Sequence, residues 1–259
     1  MASNALQFAV LRSRREIAAA QAELHTRGWV DFGSRAQRSR LASALRRALR
    51  QDKPLPDPVK SWDVLRTLEA IVSSTPPDSP ILDLGSVACP VLPCLHELGY
   101  SNLHGIDLDR RVTHMPHADQ IDYRVANMTA TPWPDDTFAA ITAISVIEHG
   151  FDGDALLSEV ARLLRPGGSF IFSTDYWPQK LSTDGVRLFG LDWQIFSSQD
   201  VEVMLACARE HDLHPLENPT EVLHAQAAIG EASRPVRFKG RGYTFLYGAL
   251  MLGLSPARG

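Results

Sequence analysis

The sequence predicts an α/β fold in which helices cover an open, doubly wound sheet of mostly parallel strands. The first observation is an apolar strand that ends in a glycine turn, ILDLGSVACP at 81–90, where Gly85 allows a tight backbone turn. The second is a short helix candidate directly after this turn, VLPCLHELGY, succeeded by a second strand, SNLHGIDLD. The same alternation continues to about residue 174. Helices between successive strands imply right-handed crossovers and a parallel sheet.

The N-terminal region is predicted to be helical. Residues 5–26 are rich in alanine and charged residues and predict a helix that stops at Gly28. Residues 34–51 predict a second helix with a narrow leucine stripe and arginines on its other faces. Prolines within 54–58 then predict an extended linker.

A third helix is predicted from Ser61 to Ser73, with Ser61 as its N-cap. The loop STPPDSP at 74–80 separates it from the sheet. A later helix is predicted near Ser197–Arg209. The seven predicted strands are 80–84, 102–107, 121–125, 138–144, 168–174, 212–217 and 242–251.

The composition is ordinary for a globular protein, since 44% of the 259 residues are hydrophobic and 22% are charged. The longest apolar run is too short to cross a bilayer, and arginines interrupt the N-terminus where a signal segment would be apolar. We therefore expect a cytoplasmic protein without a membrane partner. Cys89, Cys94 and Cys207 show neither a disulfide framework nor paired metal-ligand spacing, so we interpret them as small apolar residues.

Charge is unevenly distributed along the chain. Residues 1–60 hold 12 Lys and Arg against 5 Asp and Glu, whereas the remainder holds 14 against 25, for a net charge of −4. Such a basic arm could bind nucleic acid, an anionic lipid surface or an acidic substrate. It could also dock on the acidic part of its own chain or a sister chain. We favour docking because aromatic residues are not interleaved with the arginines, as a stacking surface would require.

Five motifs carry a resemblance to a known family: LDLG at 82–85, GIDLD at 105–109, ANMTATPWPDDTFAAI at 126–141, SVIEH at 145–149 and LLRPGG at 163–168. From about Lys60 onwards the chain resembles class I S-adenosylmethionine-dependent methyltransferases. The resemblance implies a Rossmann-like sheet of seven strands whose last strand is antiparallel, and S-adenosylmethionine as the cofactor. The segment YTFLYGALML suits that last strand.

The resemblance also implies which residues would hold the cofactor. Asp83, Gly85 and Ser86 would lie near its methionine part, and a carboxylate at the tip of the second strand, Asp107, can accept hydrogen bonds from both ribose hydroxyls. The remaining residues would meet the adenine or pass beneath the cofactor: Leu108, Asn127, Met128, Ser145 and Val146. Lys60 and Trp62 could line the same pocket, or be a solvated lysine and a core tryptophan.

One motif departs from the family pattern. Where the family often has LDxGxGxG, this chain has Val87 and Cys89 in place of the second and third glycines, followed by Pro90. We expect a less flexible loop that holds the methionine part differently. The absence of the GxGxxG motif also argues against a dinucleotide-binding fold.

His149 is the candidate base for an acceptor hydroxyl, because imidazole takes up a proton near neutral pH. The alternative is a histidine that orients the cofactor or stabilises the structure, and Glu148 is a weaker candidate base. Asp175, at the tip of the fifth strand, could orient the acceptor or join a metal site. We assign no metal ligands, although His149 with Asp175 would permit a divalent ion; His114 and His117 are interpreted as a surface loop.

We expect an N-terminal helical lid or arm at 1–75 and a cofactor-binding domain at 76–259, with an acceptor cap inserted at about 175–196. The predicted function is methyl transfer to a small polar acceptor, a hydroxyl of a sugar or natural product. Two alternatives stay open: an RNA methyltransferase that uses the arginine arm, and a non-catalytic binding protein of the same fold. Nucleic acid is the less favoured partner, and the N-terminal helices could form a homodimer contact.

Overall fold

The structure is a computed structural model, which describes residues 4–30, 57–150, 152–224 and 234–254. The predicted helix at 34–51 and most of the lysines and arginines of the basic arm lie outside the described residues. Within the described ranges, no helix is both long enough and apolar enough to cross a membrane.

Eleven strands are present in the described part of the chain. They are β1 (Ala9–Val10), β2 (Ile81–Leu84), β3 (Leu103–Asp107), β4 (Asp122–Val125), β5 (Phe138–Ile144), β6 (Leu164–Tyr176), β7 (Arg187–Leu188), β8 (Leu191–Asp192), β9 (Leu213–Pro215), β10 (Val236–Phe238) and β11 (Arg241–Leu252). All seven predicted strands are among them. The largest difference between predicted and observed strand bounds is at β6, which extends further at both ends than the predicted 168–174.

The α-helices of the described ranges are α1 (Arg14–Thr26), α2 (Ser61–Ser74), α3 (Val91–Glu97), α4 (Gly153–Leu163), α5 (Ser198–Glu210) and α6 (Thr220–His224). Short 3-10 turns occur at Asn4–Leu6, Pro58–Lys60 and Arg110–His114. Helix α5 begins at a capping box, in which the Ser197 hydroxyl accepts the Asp200 N–H and the Asp200 carboxylate accepts the Ser197 N–H.

The main sheet has the order β1-β11-β6-β5-β2-β3-β4, and β9 and β10 also pair with β11. Strands β4, β3, β2, β5 and β6 are parallel to one another, whereas β11 is antiparallel to β6. The chain runs outward from β2 to β4 and then returns to β5 on the other side of β2. This is the doubly wound α/β sheet that the sequence predicts, with its switch point between β2 and β5.

The central strands are buried on both faces, which explains their nearly continuous apolar sequence. Every residue of β2 is buried, as are six of the seven residues of β5. The core also includes buried residues of α1 and α2, so the described N-terminal segment packs against the same core as the sheet. The boundary near residue 75 and the lid role stay predictions.

Two local predictions at the N-terminus are wrong. The helix predicted from residue 5 begins only at Arg14, because Ala9 and Val10 pair with Tyr247 and Leu246 and extend the sheet beyond β11. Ser61 is not an N-cap. A 3-10 turn capped by Asp57 runs directly into α2, and the Ser61 hydroxyl donates to the Pro58 carbonyl at 2.6 Å.

Candidate functional site

The switch point places two loops side by side, the glycine turn after β2 and the segment 145–149 after β5. Gly85 has φ +75°, and a Cβ atom on it would lie 2.4 Å from Cγ2 of Val146. The two predicted cofactor residues are therefore in direct contact, and only glycine fits at position 85. A ligand at this edge of the sheet would lie where ligands bind in open α/β sheets.

The side chain of Asp83 stabilises the glycine turn through hydrogen bonds. Its carboxylate accepts hydrogen bonds from Thr142 Oγ1 at 2.5 Å and from Ser86 Oγ at 2.9 Å. Burial raises the pKa of Asp83 to about 6, and these hydroxyls limit the rise. Asp83 and Ser86 thus hold the loop in shape.

The loop still turns without its second and third glycines. The left-handed residue is Ala88, with φ 64°, whereas neither Val87 nor Cys89 has a positive φ. Cys89 is partly buried and packs against the core. The replacement of glycine at 87 and 89 therefore leaves the turn intact and places the strain at Ala88.

Asp107 lies at the C-terminal end of β3, beside this loop. One carboxylate oxygen accepts the N–H of Val87 at 3.1 Å, and the other accepts the N–H of Asp109 at 2.8 Å. A carboxylate has about four lone-pair sites, so each oxygen keeps capacity for a further donor such as a ribose hydroxyl. Leu108, the next residue, is 63% exposed.

Asn127 and Met128 follow β4 at the same edge. The Ala126 N–H donates to the Asp107 carbonyl at 3.1 Å, which keeps this segment beside β3. Asn127 is exposed and its Oδ1 accepts the Thr129 N–H, whereas Met128 is partly buried against the core. The structure therefore brings Asp107, Asn127 and Met128 to neighbouring strand ends.

Ser145 is the first residue after β5 and has a left-handed backbone with φ 54°. Its N–H donates to the Ser173 carbonyl at 3.0 Å, and its hydroxyl accepts a hydrogen bond from Lys60 Nζ. Ser173 in turn donates to the buried Asp63 carboxylate at 2.8 Å. The start of α2 is thus tied to the ends of β5 and β6.

A buried ionic cluster is centred on Lys60. Its ammonium lies 3.6 Å from Oδ1 of Asp175 and 3.7 Å from the ring centroid of Phe245. Burial lowers the pKa of Lys60, but the fields of Asp175, Glu148 and Asp63 outweigh it, so the pKa is raised. One lysine therefore faces three buried carboxyl groups.

Glu148 is 1% exposed, and among the described residues its Oε2 has no hydrogen-bond partner. Burial, reinforced by the neighbouring Asp175, raises its pKa to about 8. The raised pKa favours the protonated form of the Glu148 carboxyl group, and in that form it can donate a hydrogen bond.

His149 is half-buried, and its Nδ1 is likewise without a partner among the residues that the structure describes. Burial lowers its pKa below 6.5, so the imidazole is neutral at pH 7 and can accept a proton. Its ring contacts the ring of Phe189 edge-on, with centroids 5.3 Å apart.

Asp175 is 4% exposed and lies near the C-terminal end of β6. Its Oδ2 accepts a hydrogen bond from Trp193 Nε1 at 2.8 Å. The described residues around His149 and Asp175 do not bring three metal-ligating side chains together. The role of Asp175, as an orienting residue or as part of a metal site, stays a prediction.

The segment at 175–196, which the sequence predicts to be an acceptor cap, is hydrogen-bonded to the chain that follows β5. The Gln194 N–H donates to the Glu148 carbonyl at 2.8 Å, and the Gly150 N–H donates to the Asp192 carbonyl at 2.9 Å. Of its five aromatic residues only Phe189 is exposed, at 85%; Tyr176, Trp177, Trp193 and Phe196 are buried. Most of the aromatic residues therefore fix the cap, and Phe189 at the tip of the β7–β8 hairpin is the one free to meet a ligand.

Sequence reasoning missed Asp63, Ser173 and Phe245 as neighbours of the site. Lys60 and Asp63 lie three residues apart at the start of a helix, a spacing that places side chains on one face, and this signal could have found Asp63. Ser173 lies on β6 and Phe245 on β11, so their position beside the site depends on how these two strands pair.

Known proteins resemble parts of this chain. Residues 82–172 match a family described as a methyltransferase domain. A probable S-adenosylmethionine-dependent methyltransferase of Mycolicibacterium smegmatis is 38% identical over 72 residues, 27% of this chain and 28% of that protein. The ubiquinone/menaquinone biosynthesis C-methyltransferase UbiE of Geobacter sulfurreducens is 39% identical over 79 residues, 30% of this chain and 28% of that protein. The chain thus spans less than a third of the length of these relatives.

Solved structures resemble more of the chain at lower identity. A chain of the complex between the Haloferax volcanii Trm112 methyltransferase activator and the putative methyltransferase is 18% identical with a TM-score of 0.54, over 84% of this chain and 97% of that one. The [4+2]-cyclase SpnF is 14% identical with a TM-score of 0.53, over 76% of this chain and 83% of its own. These likenesses confirm the Rossmann-like fold. Because one of the two is named as a cyclase, fold alone does not set the reaction.

Proposed function

We propose that the methyltransferase domain at residues 82–172, a class I domain whose cofactor is S-adenosylmethionine, gives the whole protein methyl-transfer activity on a small polar acceptor. The acceptor atom in this proposal is a hydroxyl oxygen of a sugar or natural product. The observation that carries the proposal is the set of buried polar groups at the switch point: Glu148, His149 and Asp175 each present an oxygen or nitrogen without a hydrogen-bond partner among the described residues. Such groups fit a polar ligand.

The cofactor would lie across the ends of β2, β3 and β4. Asp107 would accept hydrogen bonds from the two ribose hydroxyls, with Asn127 and Met128 at the adenine. When bound, S-adenosylmethionine supplies a methyl group on a sulfonium that needs no acid to leave. The residues of the chain therefore contribute position and, for a hydroxyl acceptor, a base.

In this proposal His149 is the general base. The acceptor proton would pass to Nδ1 as the acceptor oxygen takes the methyl group, which leaves an imidazolium ion. Asp175 raises the pKa of His149 through its field, so it stabilises the charged ring. The protonated carboxyl group of Glu148 can donate to a second acceptor oxygen, as expected for an acceptor with several hydroxyls.

Methyl transfer to carbon is a second candidate, favoured by the relative that is named a C-methyltransferase. A carbon acceptor also needs a base, so His149 would again be the general base. The two candidates differ in the product, in which the methyl group is bonded to oxygen or to carbon.

Calorimetric titration with S-adenosylmethionine tests the cofactor site. We expect wild-type binding, and binding weakened about 10- to 100-fold in Asp107→Asn, because a hydrogen bond to a charged group contributes about 1.5–3 kcal/mol. Asp109→Asn is the matched control, since this exposed carboxylate bonds to Arg111 instead. No heat with wild-type protein that melts cooperatively would overturn the proposal.

An acceptor screen that measures S-adenosylhomocysteine then tests the reaction. With an active sugar or natural product, His149→Ala should lower kcat about 10²- to 10⁴-fold while cofactor affinity is unchanged. Unchanged turnover would assign His149 to structure, and methyl groups found on carbon would favour the second candidate.

A further inference from the structure

A second cluster of reactive side chains lies outside the proposed active site. Asp154 is in the first turn of α4, and Cys207 and His211 lie four residues apart at the end of α5. In the part of the chain that the structure describes, this is the one group of three metal-ligating side chains whose ligand atoms lie within 4.8 Å of one another. The four-residue spacing places Cys207 and His211 on one face of the helix end.

The separations in this cluster are close to those of a bound metal. Asp154 Oδ1 lies 2.9 Å from His211 Nε2 and 3.9 Å from Cys207 Sγ. In tetrahedral Zn²⁺ coordination, metal–ligand bonds of about 2.0–2.3 Å place O and N about 3.3 Å apart, and O and S about 3.6 Å apart. Shifts of a few tenths of an ångström would therefore convert the cluster into three ligands.

The surroundings attract a cation. The carboxylates of Asp152, Asp154 and Glu210 all act on the Cys207 thiol. His211 is the C-cap of α5, where the unsatisfied carbonyl groups of the helix carry partial negative charge. A divalent cation here would offset this accumulation of negative charge.

We propose that Asp154, Cys207 and His211 form a zinc site that joins α4 to α5. Imidazole and thiolate select borderline metals such as Zn²⁺ over Mg²⁺ or Ca²⁺. Three protein ligands leave the fourth position to water. Both helices carry buried residues that pack in the same core as the sheet, so the site would fasten them together at the surface. The proposal does not depend on methyl transfer.

Cobalt substitution tests the site in the full chain. Metal-free protein titrated with Co²⁺ should develop thiolate-to-cobalt charge transfer in the near ultraviolet and the visible bands of a tetrahedral site. Zn²⁺ should abolish both signals with one ion per chain. Cys207→Ser should remove the charge-transfer band, and His211→Asn should remove tight binding.

His214→Asn is the matched control, because His214 bonds to Asp212 at the same 2.9 Å and has no thiol beside it. This variant should bind cobalt as the wild type does. Zn²⁺ should also raise the Tm of the wild type and not that of Cys207→Ser. A missing charge-transfer band in the wild type, or equal binding by Cys207→Ser, would overturn the proposal.

Discussion

Glu148 and His149 are neighbours in sequence, and burial moves their pKa values in opposite directions. The pKa of Glu148 rises to about 8, whereas that of His149 falls below 6.5. Burial favours the neutral form of each, so near pH 7 the carboxyl group is a donor and the imidazole an acceptor. His149 can therefore accept a proton from the molecule to be methylated, and the adjacent Glu148 can donate a hydrogen bond to the same molecule.

The raised pKa of Glu148 predicts a pH dependence of stability. The carboxyl group titrates at about 8 in the folded chain and at 4.5 without burial, so between these values the folded state binds more protons. Stability must then fall as the pH rises through that window. Glu148→Gln stays neutral, so we expect its Tm to fall less than the wild-type Tm between about pH 6 and pH 8.

Glu159→Gln provides the control for this measurement. Although Glu159 is also largely buried, its hydrogen bonds from Arg162 and Thr131 lower its pKa to about 2. It is ionised in both states above pH 6, so its replacement should change stability without changing the slope. Equal slopes for Glu148→Gln and the wild type would show that Glu148 is ionised in the folded protein.

At the scale of elements, patterns in the sequence predict what is periodic and local. The parallel strands β2 to β5 were predicted within a residue or so of their bounds, because buried apolar runs end at turn residues. Strand β1 could not be predicted, since two residues form it only by pairing with β11 at the other end of the chain. Motif order predicts Asp107 and His149, but whether Phe189 or Trp193 faces solvent depends on how the cap folds.

The β7–β8 hairpin provides a prediction about the acceptor. Phe189 is 85% exposed at its tip and contacts the ring of His149. Phe189→Ala should therefore leave Tm and cofactor affinity unchanged and raise the acceptor KM. Val203→Ala, which shortens a side chain that is 64% exposed on α5, is the control. If both variants have the acceptor KM of the wild type, the hairpin does not contact the acceptor.

At the scale of the whole molecule, the N-terminal segment meets the sheet at Lys60 as well as through the pairing of β1 with β11. Lys60 precedes α2, bonds to Ser145 after β5, pairs with Asp175 on β6 and lies over Phe245 on β11. The sequence suggested Lys60 only as one of two possibilities, because a lone lysine before a helix is usually solvated. Its environment comes from three strands that are distant in the chain, which no local pattern records.

This position predicts a stability loss that depends on pH. Lys60→Met keeps most of the side chain over Phe245 but removes the cation from Asp175, Glu148 and Asp63. Breaking a buried ion pair on one side costs about 3–5 kcal/mol, and the 24% exposure of Lys60 favours the lower end. Because Glu148 and Asp63 take up protons below pKa values of about 8 and 6, the loss should be largest at pH 8 and smaller at about pH 5.

Lys180→Met separates this effect from the loss of any lysine, since Lys180 forms an exposed pair with Asp200 at 2.7 Å. Exposed pairs contribute about 0–1 kcal/mol, so chemical denaturation of this control should show little change at either pH. A loss for Lys60→Met that is the same at both pH values would mean that Lys60 stabilises the protein by packing alone. A loss that shrinks on acidification would show that the buried carboxyl groups need the cation, and hence that one lysine ties the N-terminal segment to the edge of the sheet where the acceptor would bind.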